Sequence, residues 1–124
     1  MRSISNRFVH LAACAAFVAA GVTLAADHHA MTLKGEVVDQ ACYTKDKGNV
    51  GEKHKDCGLT CLKKGSKLAF VTPEGQVYTI VGAYTENKNA KLADLFAVPV
   101  EATGEVTEKE GAKELKITAL KKVS

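Results

Sequence analysis

The chain has 124 residues, a formal net charge of +3 and only 6% aromatic residues. That length holds one domain with a modest core. Both arginines, Arg2 and Arg7, lie at the N-terminus, while all fourteen Asp and Glu residues lie beyond Ala26, so the chain past Ala26 is close to neutral and carries no basic patch for nucleic acid.

Arg2 and Arg7 precede an apolar run from Phe8 to Ala26 that ends in small residues, the pattern of a bacterial export signal. Cleavage after Ala25 makes 1–25 the signal and leaves 26–31 as a flexible leader before a domain over 32–124. Cleavage after Ala26 or Ala20 is the alternative. The run is alanine-rich and near the minimum spanning length of about 18 residues, so a cleaved signal is favoured over a retained anchor. Leu11-Ala12-Ala13-Cys14 matches a lipoprotein signal by letter. The apolar stretch before Cys14 is too short for that role, and the run continues past it. The expected location is the periplasm or the exterior, with no stable membrane insertion after cleavage.

The first strand is expected over Leu33–Val38. Tyr43 to Gly51 is polar and glycine-containing and reads as a loop. Glu52 to Lys64 reads as a helix stopped by Gly65, with Gly58 weakening it by about 1 kcal/mol relative to alanine. Leu68–Thr72 and Gln76–Val81 flank Pro73-Glu74-Gly75 as a hairpin. Asn89–Ala97 carries Leu92, Leu95 and Phe96 at helical spacing, with Asn87 or Asn89 as its cap. Val98–Thr107 and Glu114–Leu120 alternate as strands around Lys109-Glu110-Gly111. Val37, Phe70, Ile80, Leu95, Val106 and Ile117 are the expected core.

Strand, cysteine-bearing helix, hairpin, helix, hairpin is the order of a five-stranded OB-like barrel, mainly β, with the second helix between strands 3 and 4. Gly35 and Gly104 are candidates for the bends that close such a barrel.

The chemistry lies in Cys42, His54, Cys57 and Cys61, the last three at the spacing H-x-x-C-x-x-x-C. Offsets of three and seven place them on one helix face. Together the four form a Cys3His set suited to Zn(II), and a smaller subset suits Cu(I). The competing reading is a disulfide from Cys42 to Cys57 or Cys61, worth about 3 kcal/mol in the chain-entropy model. The barrel would then serve as an interaction module for an envelope protein or a glycan. Thiol–disulfide redox ranks third, because C-x-x-x-C is one residue longer than the usual motif and Cys57 is expected mid-helix. Asp39, three residues before Cys42, caps the following turn or orients His54. Tyr43 is expected to pack. The carboxylates show no hydrolase pattern, so binding rather than enzyme catalysis is expected.

Leu33-Lys34-Gly35-Glu36-Val37-Val38-Asp39-Gln40-Ala41-Cys42-Tyr43, then His54, Cys57 and Cys61, resembles a group of small exported bacterial OB-fold-like proteins. Those carry G-x-V-x-D-x-x-C, then H-x-x-C-x-x-x-C, and a tail ending in a G-x-V strand, here Gly104-Glu105-Val106. The resemblance spans nearly all of the chain beyond the signal. It implies the fold and the grouping of the cysteines, and no particular activity.

The processed N-terminus offers a second candidate metal site. Cleavage after Ala25 or Ala26 places His28 or His29 third from a free amine, a square-planar nitrogen set suited to Cu(II), with Met31 nearby. The favoured reading is a leader without function.

Overall fold

The computed structural model describes residues 29–123. The expected export signal, Cys14 and His28 lie outside them. Five strands, β1 (His29–Asp39), β2 (Leu68–Val71), β3 (Val77–Val81), β4 (Pro99–Lys109) and β5 (Ala112–Lys122), make one sheet. Their neighbour order is β1-β2-β3-β5-β4, and β4 pairs back onto β1, so the sheet closes in a ring. The protein is mainly β. Among the described residues no helix is long and apolar enough to cross a membrane.

The strands follow the alternation in the chain. Val37 pairs with Phe70 across β1 and β2, and both point into the ring fully buried. Leu115 and Ile117 of β5 and Val100 and Ala102 of β4 meet them there. Leu68-Ala69-Phe70-Val71 is buried throughout. Leu68 and Phe70 face the ring interior, while Ala69 and Val71 pack outside it with Val38 and Tyr43. A strand covered on both faces reads as a continuous apolar run. The ring closes through the parallel pair β3–β5, with Ile80 opposite Leu115.

Gly35 and Gly104 both sit where another backbone comes close. A Cβ at Gly35 would overlap the Val71 carbonyl, and one at Gly104 would overlap the Lys116 carbonyl. Gly104 also marks the register shift between β4 and β5, as expected of a bulge that bends a strand.

Some expectations need correction. β1 starts at His29, so His29–Met31 are strand opposite Gly104–Val106 rather than leader. Pairing there satisfies the backbone of an 11-residue β4 that would otherwise be an open edge. The loop expected from Tyr43 begins later, because Gln40–Lys45 forms a short helix, α1. The helix expected over Glu52–Lys64 splits into a 3-10 turn, Glu52–His54, and α2, Lys55–Lys63.

The helix expected over Asn89–Ala97 is a 3-10 segment, Ala90–Leu95. A short stretch, α3 (Glu86–Asn89), precedes it, with Asn87, Lys88 and Asn89 at φ of 51°, 54° and 60°. Asparagine tolerates this left-handed region better than most residues. Asn89 caps no turn of its own. Its buried amide donates to the carbonyls of Leu62 and Ser66 at 3.2 and 3.1 Å, which ties this stretch to the end of α2. The core takes Leu92 and Phe96 from the segment. Leu95 and Val106 are only partly buried against it.

Candidate functional site

The insert between β1 and β2 carries all three described cysteines, and its base is closed by Asp39. One oxygen of that buried carboxylate accepts the Cys42 N–H at 2.8 Å, capping α1. The other accepts the Ser66 hydroxyl at 2.6 Å, from just beyond α2. Asp39 therefore caps the turn, and neither oxygen is turned to His54. Burial alone would push its carboxyl up. The Ser66 hydroxyl and the Cys42 N–H and thiol outweigh that and hold it below the ordinary value of 3.8.

Beyond α1 the chain folds back on itself. The Cys42 carbonyl accepts the Asp46 N–H at 3.0 Å and the Asn49 side-chain amide at 2.9 Å. The Glu36 carboxylate on β1 accepts the Gly51 N–H. These bonds fix where the 3-10 turn begins, and so where His54 stands.

Leu62, 1% exposed, anchors α2 in the core. Gly58 lies against the ring of Phe96, and a Cβ there would overlap it. The glycine that weakens the helix locally is what lets it approach the barrel. The Lys64 N–H bonds back to the Cys61 carbonyl and the Gly65 N–H to the Leu62 carbonyl. With Gly65 at φ 82°, α2 stops where expected.

Asp39, Cys42, Asn49, His54, Cys57 and Gly58 line one narrow cleft. Cys42 comes from α1, His54 from the cap position of α2 and Cys57 from its first turn. The first-turn position differs from the mid-helix one expected, because the 3-10 turn takes up the residues before it. Cys57 is exposed, whereas Cys42 and Cys61 are half-buried. Cys61, one turn beyond Cys57, does not line the cleft.

The Cys42 thiol is pushed up from 9.0 to about 11. The hydrogen bond to Asp39 is the main cause, followed by burial and the negative charges of Asp39, Cys61 and Cys57. It is a neutral thiol at pH 7. No disulfide joins the described cysteines. Among the described residues no three of the His, Cys, Asp and Glu side chains stand close enough to hold a metal as they are. The donor types suit a soft ion, and three of the four expected ligands face one cleft. Closing a site requires their side chains to turn inward.

His29 lies elsewhere, exposed at the start of β1 opposite Val106. Asn49 is the cleft residue that sequence reasoning misses. Its signal is slight, a polar residue seven positions after Cys42 in a segment that reads as loop. Comparison with protein-family models, with curated proteins and with solved structures gives no match for this chain.

Proposed function

We propose that the chain is a small exported binding protein that takes a soft metal ion, Zn(II) or Cu(I), at Cys42, His54, Cys57 and Cys61. The observation that carries this reading is the convergence of Cys42, His54 and Cys57 from two helices onto one cleft. The insert bearing them is tied down at Asp39, Glu36 and Asn89. Binding an ion needs the thiolate form, so uptake releases protons and strengthens with pH. The neighbour order β1-β2-β3-β5-β4 in a closed sheet, with the helical segment between β3 and β4, supports reading the frame as an OB-like barrel.

The test is metal content of protein purified from its native compartment, with titration of the reduced protein by Zn(II) and by Cu(I) against a competing chelator. Near-stoichiometric metal, lost on changing Cys57 or His54, is the expected result. Metal-free protein with one disulfide and one free thiol overturns it.

That last outcome is the second reading, and the same cleft favours it. Cys42 and Cys57 both line it, and they are the pair that a disulfide staple of the insert would join. The protein would then be an interaction module for an envelope protein or a glycan. The exposed Cys57 at the start of α2 is also the residue a thiol–disulfide exchange would use first.

A further inference from the structure

A second concavity, of about 440 Å³, lies on the outside of the barrel and shares no lining residue with the cysteine cleft. It arises from how β1 changes partners. From His29 to Glu36 that strand pairs with β4, and from Glu36 to Asp39 with β2. Outside this changeover Val38, Tyr43, Ala69 and Val71 form a small apolar cluster roofed by Val50. The roof stops at Val50. Beyond it a groove stays open between the β2–β3 turn and the end of β5, walled chiefly by Tyr43, Val50, Val71, Pro73, Pro99 and Val123.

The polar groups in the groove are few. The Thr72 hydroxyl accepts the Gln76 N–H, and the Glu36 carboxylate accepts the Gly51 N–H. Lys34 and Lys47 line the same groove, both exposed, and neither forms an ion pair among the described residues. Lys34 stands opposite Glu101 on β4, whose carboxylate is paired with Lys121. Apolar walls, the Lys34 and Lys47 ammonium groups and one carboxylate already hydrogen-bonded therefore leave a net positive rim. The volume lies within the range of small-molecule sites, roughly 300–1,000 Å³.

We propose that this groove binds a small amphipathic organic anion, with its apolar body against Val71, Pro99 and Val123 and its acidic group between Lys34 and Lys47. Backbone strands form the floor, so the site is pre-shaped.

The probes are 8-anilinonaphthalene-1-sulfonate, which carries the anion, and N-phenyl-1-naphthylamine, its uncharged counterpart. The processed full chain should bind the sulfonate saturably at one site, about tenfold more tightly than the neutral probe. The double variant Lys34→Gln/Lys47→Gln should remove that preference and leave binding of the neutral probe unchanged. Amide shift mapping should place the sulfonate at Glu36, Val71, Gly75, Val100 and Val123. Three results overturn the proposal: shifts centred elsewhere or no saturation, equal affinity for the two probes, or a double variant that binds the sulfonate like the original chain.

Discussion

Asp39 and Ser66 are 27 residues apart, yet the Ser66 hydroxyl donates to the Asp39 carboxylate at 2.6 Å and closes the insert at its base. Asp39 is 4% exposed, so a carboxylate oxygen that loses its donor is left unsatisfied in a buried place. Asp39→Ala removes the cap of α1 and this clamp together and should cost about 2–3 kcal/mol in denaturant unfolding. Ser66→Ala should cost about 1 kcal/mol. The double variant should be little worse than Asp39→Ala, because both changes remove one shared bond.

Stability should depend on pH at both extremes. The folded state holds the Asp39 carboxyl below 3.8. Its contribution is present above that value and is lost as pH falls through the folded value. Cys42 runs the other way, with its thiol raised from 9.0 to about 11. That contribution is full below pH 9.0 and disappears as pH rises to about 11. Unfolding free energy measured against pH should therefore decline over that alkaline window, and Cys42→Ala should flatten the decline.

The three thiols should react in a set order. Cys57 is exposed and Cys42 is a half-buried thiol bound to a carboxylate. In reduced, metal-free protein at pH 8, alkylation read by peptide mass should label Cys57 first and Cys42 last. Equal rates would remove the Asp39–Cys42 bond as a restraint on the thiol.

His54→Ala should weaken Zn(II) or Cu(I) binding by at least about tenfold while changing stability by under ~0.5 kcal/mol, since His54 lies outside the core. Adding a chelator to metal-loaded protein should lower its melting temperature, and His54→Ala should shrink that drop. An unchanged affinity in this variant would remove His54 from the ligand set.

Gly58→Ala tests helix propensity against packing. Alanine favours a helix by about 1 kcal/mol over glycine. Here its Cβ would overlap the Phe96 ring, so the net effect should be a loss of roughly 1–3 kcal/mol. Ile117→Ala, in the ring, should cost about 2–4 kcal/mol, and Leu95→Ala clearly less, because Leu95 is only partly buried. Thermal unfolding of the three variants gives the ranking.

The features legible in the chain are those that neighbouring residues decide. Alternation placed β1, β4 and β5, the Pro73-Glu74-Gly75 turn placed β2 and β3, Asp39 announced a cap, Gly65 a helix stop, and Glu110-Gly111 a tight turn, which both take with positive φ. The spacing of Cys42, His54, Cys57 and Cys61 was also visible in the chain, as an expected grouping. Tertiary structure alone decided which strands are neighbours. The parallel pairing of β3 with β5 and the changeover of β1 at Glu36 join segments dozens of residues apart, and no local pattern encodes them. It also decided that Asn89 serves the end of α2 and not its own turn, because the carbonyls it binds arrive from another part of the chain. The same holds for the cleft. Periodicity put His54, Cys57 and Cys61 on one face, but the fold set Cys42 with His54 and Cys57 and left Cys61 aside. The Asp39–Ser66 bond spans the insert from its first residues to its last, while Asn49 bonds back locally to Cys42, and only packing on the barrel brings Ser66 within range of Asp39.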